Sequence, residues 1–382
     1  MKTPKWTSDK SEMPNSPTRP DFSHSRDSLS DAVKQTSAAC LNSTTSELVV
    51  TRLTGDASTR SYFRARLRRG DSHGIVIAAY AAPFDETQSA AARLEQLERD
   101  KPGARLSFAN DPCAHVEVTR LLEEEGLPVP GILATLGREG AMFFEDVGDA
   151  RLQDWIAEQA PAAVEQAYDR AVELIVSIQE ATARADGSIC SKLAFDHAKL
   201  SWEMDFFFEN YFNRYLDARL SETAAVALKE EFGILCAELA SRPRVLVHRD
   251  YHSRNLMMHR DRMFIIDLQD ARMGPVSYDV ASLLEDPYST LTRSEVARLI
   301  ERFLDLKSRS GAPLDRSEFV REYRLMTVQR MLKAVGTYSY QAGVLKNEVY
   351  VPYIEPAFRS ALAALTELSD YPATRRMIEE RC

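Results

Sequence analysis

The sequence predicts an α+β protein, with a small antiparallel-sheet lobe followed by a large helical lobe. Three observations predict it. Short runs rich in Val, Ile, Tyr and Phe, separated by turn residues, follow Glu47. Long stretches with apolar residues at helical spacing follow Arg151. The change between them falls at a Gly-containing connection after Asp146.

Taken in order, residues 1–28 are rich in Ser, Pro, Thr, Lys and Asp with few apolar residues, and read as a disordered tail. The runs "ELVVTRL", "SYFRARL" and "GIVIAAY" read as three antiparallel strands joined by the turns "TGDAST" and "RRGDSHG". In "AHVEVTRLLEEEGLPVPGIL" apolar residues recur at helical spacing until Gly126 and Pro128 stop the helix, and a strand follows. "GAMFFED" reads as a buried strand ending at Asp146. The domains are therefore expected at 47–146 and 147–382. In the second, helical patterns run to the C-terminus, broken by "RVLVH", "FIID" and a hairpin at "MMHRDR".

Composition excludes several classes. The 382 residues carry a formal net charge of −9, which speaks against a nucleic-acid binder that relies on diffuse attraction to phosphate. Five cysteines without CxxC spacing argue against a disulfide framework or a zinc site and fit a reducing, cytoplasmic location. The most apolar run, "GIVIAAYAAPF", is about half the length that crosses a bilayer. No membrane or nucleic-acid partner is expected.

The densest polar chemistry lies in "VLVHRDYHSRNLMMHRDRMFIIDLQDARMGP", from Val245 to Pro275. "HRDYHSRN" fits the kinase catalytic-loop pattern, a base Asp followed five positions later by an Asn, and Asp267 closes an apolar strand further on. Phosphoryl transfer needs divalent ions to neutralise a triphosphate, and Mg²⁺ takes a few hard oxygen ligands besides phosphate and water. Asn255 and Asp267 supply such oxygens, while Asp250 would orient the acceptor hydroxyl and take its proton. Two plainer readings compete. Asp250 and Asn255 can simply cap a turn, and His248, Asp250 and His252 at alternate positions can present one face to zinc or iron.

At these residues the chain resembles the aminoglycoside phosphotransferase and choline kinase superfamily, which has the bilobal protein-kinase-like fold. "HRDYHSRNLM" and "IDLQDARMGPVSYDVASLLEDPY" are most similar to the bacterial anomeric kinases of N-acetylmuramate and N-acetylglucosamine in peptidoglycan recycling. "GDASTRSYFR" and "QRMLKAVGTYSYQAG" extend the likeness, which spans about residues 47–368. The resemblance implies ATP and Mg²⁺ as cofactors and a small sugar as partner. Asp250 takes the catalytic place, and Asn255 and Asp267 the magnesium places. His248 and Asp279 would brace the loop, although Asp279 also reads as a helix N-cap. Backbone around Glu145, Asp146 and Val147 would meet adenine, and the hairpin with Gly55, Ser58, Thr59 and Arg60 would cover phosphates.

One departure stands out. "GIVIAAYAA" lacks the strand lysine that kinases pair with a helix Glu. Glu117 is the candidate for that Glu, and Arg60 or Arg64 for the cation. Candidate sugar contacts are Tyr251, Arg254, Asp270, Arg272 and Tyr288, with Arg254 or Arg272 suited to a muramate carboxylate. Other readings stay open: an aminoglycoside or choline kinase, for which "SWEMDFFFENYFNRYL" supplies acidic and aromatic residues, and an inactive nucleotide-binding module.

Overall fold

The computed structural model describes residues 30–53, 60–68, 74–218, 220–288 and 291–381. The 1–28 tail, most of both N-terminal turns, and Gly55, Ser58 and Thr59 lie outside them. The chain divides into two compact units, one ending at Asp85 and regaining Ile132–Asp146, the other comprising Glu86–Gly131 and the chain from Val147 onward.

The first unit is a five-stranded antiparallel sheet of β1 (Leu48–Arg52), β2 (Ser61–Leu67), β3 (Gly74–Ala79), β4 (Ile132–Leu136) and β5 (Ala141–Glu145), in the order β1-β2-β3-β5-β4. Register follows from the side-chain period of two. Phe63 pairs with Ile77, which pairs with Phe143, so one apolar row runs across three strands. Ala65, Ile75 and Ala141 join that face, and Val33 of the helix Asp31–Cys40 packs on it. Full burial of Ile77 and Phe143 stabilises the unit by about 1.5–3 kcal/mol each.

The second unit is mainly helical. Its longer helices include Pro161–Glu180, Glu222–Ser241, Arg293–Arg309, Arg316–Gly343 and Ile354–Leu365. The Arg293 helix starts with a capping box, in which the Thr292 hydroxyl and the Glu295 carboxylate satisfy each other's backbone amides. The helix Arg316–Gly343 runs through the interior and is buried on several faces. Beside it, the helix His197–Phe208 continues as a π-helical segment, Glu209–Tyr215, that turns Tyr211 and Phe212 inward with Phe207 against Phe358. The aromatic residues of "SWEMDFFFENYFNRYL" are thus largely core.

The segment Glu86–Gly131, which the sequence reading groups with the N-terminal lobe, packs within the second unit; its helix Pro112–Glu124 buries Val116, Val118 and Leu122, and polar contacts add to this. Asn110 N–H donates to the Asp270 carboxylate, Arg272 to Phe108 O, and Ile265 N–H to Pro128 O. Glu117, on the helix Pro112–Glu124, accepts the amides of Ala90 and Ile189, each the first residue of a helix. That carboxylate caps helices rather than facing a strand cation.

Two small sheets frame the motif region. β6 (Arg244–Val247) pairs with β9 (Arg272–Pro275), and β7 (Leu256–His259) with β8 (Arg262–Ile265). The β7–β8 turn holds Arg260 and Asp261 at φ +49° and +60°, the double left-handed geometry of a two-residue hairpin. β9 was not foreseen, because "RMGP" has a glycine and a proline. A Cβ on Gly274 would come within 2.9 Å of Val247 Cγ2, so close packing demands the glycine.

Candidate active site

The loop after β6 carries the motif, and buried carboxylates hold both its start and its middle. Asp279, fully buried on the helix Tyr278–Leu284, accepts the amides of His248 (2.7 Å) and Arg249 (3.1 Å). It therefore braces the loop rather than capping its own helix. Asp286 accepts the amide and hydroxyl of Ser253 at 2.9 and 2.5 Å.

Between these anchors a mesh ties the two strand ends together. His248 Nε2–H donates to Ile266 O at 2.9 Å, Ile266 N–H to Asn255 O at 3.0 Å, and Asn255 Nδ2 to Asp250 O at 2.8 Å. The mesh thus links Asp250 to Asn255 and reaches Ile266, the residue before Asp267. Arg249 at φ +84° and Asp267 at φ +65° both occupy left-handed backbone, which costs roughly 1–3 kcal/mol each and persists only where surroundings enforce it. At Arg249 they do: besides Asp279, Arg330 Nη1 donates to its carbonyl at 2.6 Å, and its own Nη1 reaches Asp270 at 2.8 Å.

Asn255 turns its amide nitrogen to the Asp250 carbonyl, so its oxygen is the end that could hold a cation; Asp267 adds a carboxylate, one oxygen of which accepts from Gln269. One amide oxygen and one carboxylate are the hard donors that suit Mg²⁺ with phosphate and water completing its shell. The zinc or iron reading finds no support: His248 is bonded to backbone, His252 lies edge-on to Tyr288, and no cluster of three His, Cys, Asp or Glu ligands forms among the described residues.

Cations crowd Asp250. Lys333 Nζ lies 3.3 Å from Oδ1, Arg330 Nη2 3.9 Å from the same oxygen, and Arg249 Nε 3.8 Å from Oδ2. Burial works against the charge, but Lys333, Arg249 and Arg330 outweigh it and hold the carboxyl well below its usual range. The Asp250 side chain keeps 26% of its surface exposed, enough to meet a small acceptor. Behind this group Lys199 pairs with Glu203 at 3.3 Å. Burial, with Arg249, Arg272 and Lys333 nearby, brings Lys199 down to about 7. Glu203 falls to about 2 against its own burial, because Lys199, Lys333 and Arg249 face it. Lys199 and Glu203 thus neutralise each other, as Arg249 and Asp270 do.

The other candidates divide. Arg254 lies 3.6 Å over the Tyr288 ring and bonds Gln153 and the Tyr353 hydroxyl. Tyr338 donates to the Tyr288 hydroxyl, completing an aromatic box already filled by the chain's own guanidinium. Tyr251 is fully buried with its hydroxyl on Ala171 O, and Arg272 is equally buried, bonded to the carbonyls of Asp270 and Phe108. Neither offers a surface to substrate, and Asp270 serves Arg249 and Asn110.

In the first unit Arg64 binds Asp146 through two nitrogens, each at 2.9 Å, and Arg66 reaches the same carboxylate at 3.4 Å. Arg60 is buried with its guanidinium 5.7 Å from the Tyr62 ring centre. Glu145 ends β5 exposed, while Val147 packs with Met257 and Phe264. Sequence reasoning missed Asp286, Arg330 and Lys333 as site residues. For the last two a signal existed: two basic residues three apart on an otherwise apolar stretch, "QRMLKAV".

The profile of the phosphotransferase enzyme family matches residues 49–316. The chain belongs to that family. This phosphotransferase is 31% identical over 227 residues to an N-acetylmuramate/N-acetylglucosamine kinase of Pseudomonas aeruginosa, covering 59% of this chain and 64% of that protein, just under two thirds of its length. It is 29% identical to a kinase of the same description from Caulobacter vibrioides, covering 75% of this chain and 79% of that protein. In fold it is similar to a choline kinase of Cryptosporidium parvum (TM-score 0.53, 11% identity, 88% and 91% of the two chains). It is also similar to a choline/ethanolamine kinase family protein of Mesorhizobium loti (TM-score 0.52, 14% identity, 87% and 92%). The sheet unit and helical unit are thus those of a protein-kinase-like fold.

Proposed function

We propose that this phosphotransferase moves the γ-phosphoryl group of ATP to the anomeric hydroxyl of an amino sugar, N-acetylmuramate or N-acetylglucosamine, in cell-wall sugar recycling. The observation that carries the reading is the mesh that bonds Asn255 to the Asp250 carbonyl and reaches Ile266, next to Asp267, in a chain whose relatives are named as kinases of those sugars. The acceptor oxygen attacks the γ-phosphorus in line, the bond to ADP breaks, and the hydroxyl proton passes to Asp250 late in a loose transition state. Asn255 and Asp267 would hold magnesium, which when bound would neutralise charge on the phosphates. The Asp250 carboxylate is ionised and ready to accept a hydrogen bond, because three cations hold it so.

The same charge disfavours the alternatives. A polycationic aminoglycoside would approach Arg249, Arg330 and Lys333, and a quaternary ammonium would have to displace Arg254 from the Tyr288 and Tyr353 rings. A coupled ADP-release screen over both amino sugars, hexoses, choline and kanamycin, with product position read by NMR, tests the assignment. Turnover of the amino sugars at the anomeric position is expected; turnover of kanamycin or choline alone contradicts it. Stabilisation by ATP that depends on Mg²⁺ in a thermal-shift assay is also expected, and its absence would favour an inactive scaffold.

A further inference from the structure

Lys333 stands apart from the other cations near Asp250. Arg249 is committed to Asp270, Arg330 to the Arg249 carbonyl, Arg254 to Gln153 and Tyr353, and Arg272 to two backbone carbonyls. Lys333 instead leans on the half-buried candidate base itself, at 3.3 Å, from a helix whose buried faces fix its position. An acceptor hydroxyl has to approach the same carboxylate. A neutral acceptor competes with the ammonium for Asp250, whereas one that carries its own carboxylate gives the ammonium a replacement partner.

Resting on the amino-sugar reading, we propose that Lys333 is the specificity residue that reads a carboxylate on the acceptor, exchanging its resting bond with Asp250 for one to the substrate. Carboxylated amino sugars are then favoured over neutral ones of the same ring. The lactyl group of N-acetylmuramate carries such a carboxylate, and N-acetylglucosamine does not.

The test is the ratio of kcat/KM for N-acetylmuramate over N-acetylglucosamine in wild type, Lys333→Met, Lys333→Gln and Lys333→Arg, each checked for folding by thermal melting. Wild type should favour the carboxylated sugar. The ratio should fall about tenfold or more in the Met and Gln variants, as expected for loss of one charge-assisted bond, and the Arg variant should restore most of it. A ratio unmoved in a folded Met or Gln variant overturns the role of Lys333 while leaving the amino-sugar reading intact. Failure of wild type to turn over either sugar overturns that reading and this inference together.

Discussion

The Asp279 carboxylate holds the amide of Arg249, a residue at φ +84° immediately before Asp250, and with the same group holds the amide of His248. The strained turn that presents Asp250 thus depends on one buried side chain thirty positions downstream. Asp279→Ala removes both acceptors and leaves two amides without these partners. We expect a loss of about 2–4 kcal/mol in unfolding free energy by urea titration. The fraction that stays folded should lose most ADP release, because the loop relaxes.

Gly336 offers a test of packing. A glycine inside a helix is ordinarily about 1 kcal/mol worse than alanine, so replacement should stabilise. Here a Cβ would lie 2.7 Å from Phe207 Cα, a backbone atom of the neighbouring helix. Gly336→Ala should therefore destabilise by about 1–3 kcal/mol in urea unfolding. Because Lys333 lies three residues away on that helix, kcat/KM should fall as well.

The Glu238 carboxylate bridges Arg321, at 2.8 Å through two nitrogens, and Arg242 at 3.0 Å. These bonds, Arg321 first, hold its carboxyl below the ordinary value against partial burial. A depressed carboxylate stabilises fully above its unfolded value, near pH ~4.3, and the contribution disappears as pH falls through the lower folded value. Glu238→Gln should cost roughly 1 kcal/mol at pH 7. Thermal melts of the two proteins should converge as pH falls through the lowered folded value.

How much of this was legible in the sequence depends on the range of the interactions. "HRDYHSRN" and Asp267 could be read because phosphoryl transfer demands particular polar groups at short fixed spacings. The long helices were legible by periodicity, and the β7–β8 hairpin by its turn. The helix Asp31–Cys40 was not, since Val33 and Ala38 are the only apolar side chains it buries. The packing of Glu86–Gly131 escaped because its partners lie far along the chain: its polar contacts reach residues 189, 265, 270 and 272, which local pattern does not record. Lys333 and Arg330 sit some eighty residues beyond Asp250, and only the tertiary fold brings them to it. Arg272 looked available for substrate because it lies near Asp250 in sequence; burial beside Phe195 gives it a structural place instead.

The central claim is that Asp250, bonded to Asn255 and acting with Asp267, carries phosphoryl transfer to an amino-sugar hydroxyl. Its most direct measurement is ADP release with N-acetylmuramate, ATP and Mg²⁺ by wild type and by Asp250→Asn, with melting curves for both. The account predicts a folded variant slower by about 10²–10⁴-fold. A folded Asp250→Asn protein that releases ADP at the wild-type rate would contradict it.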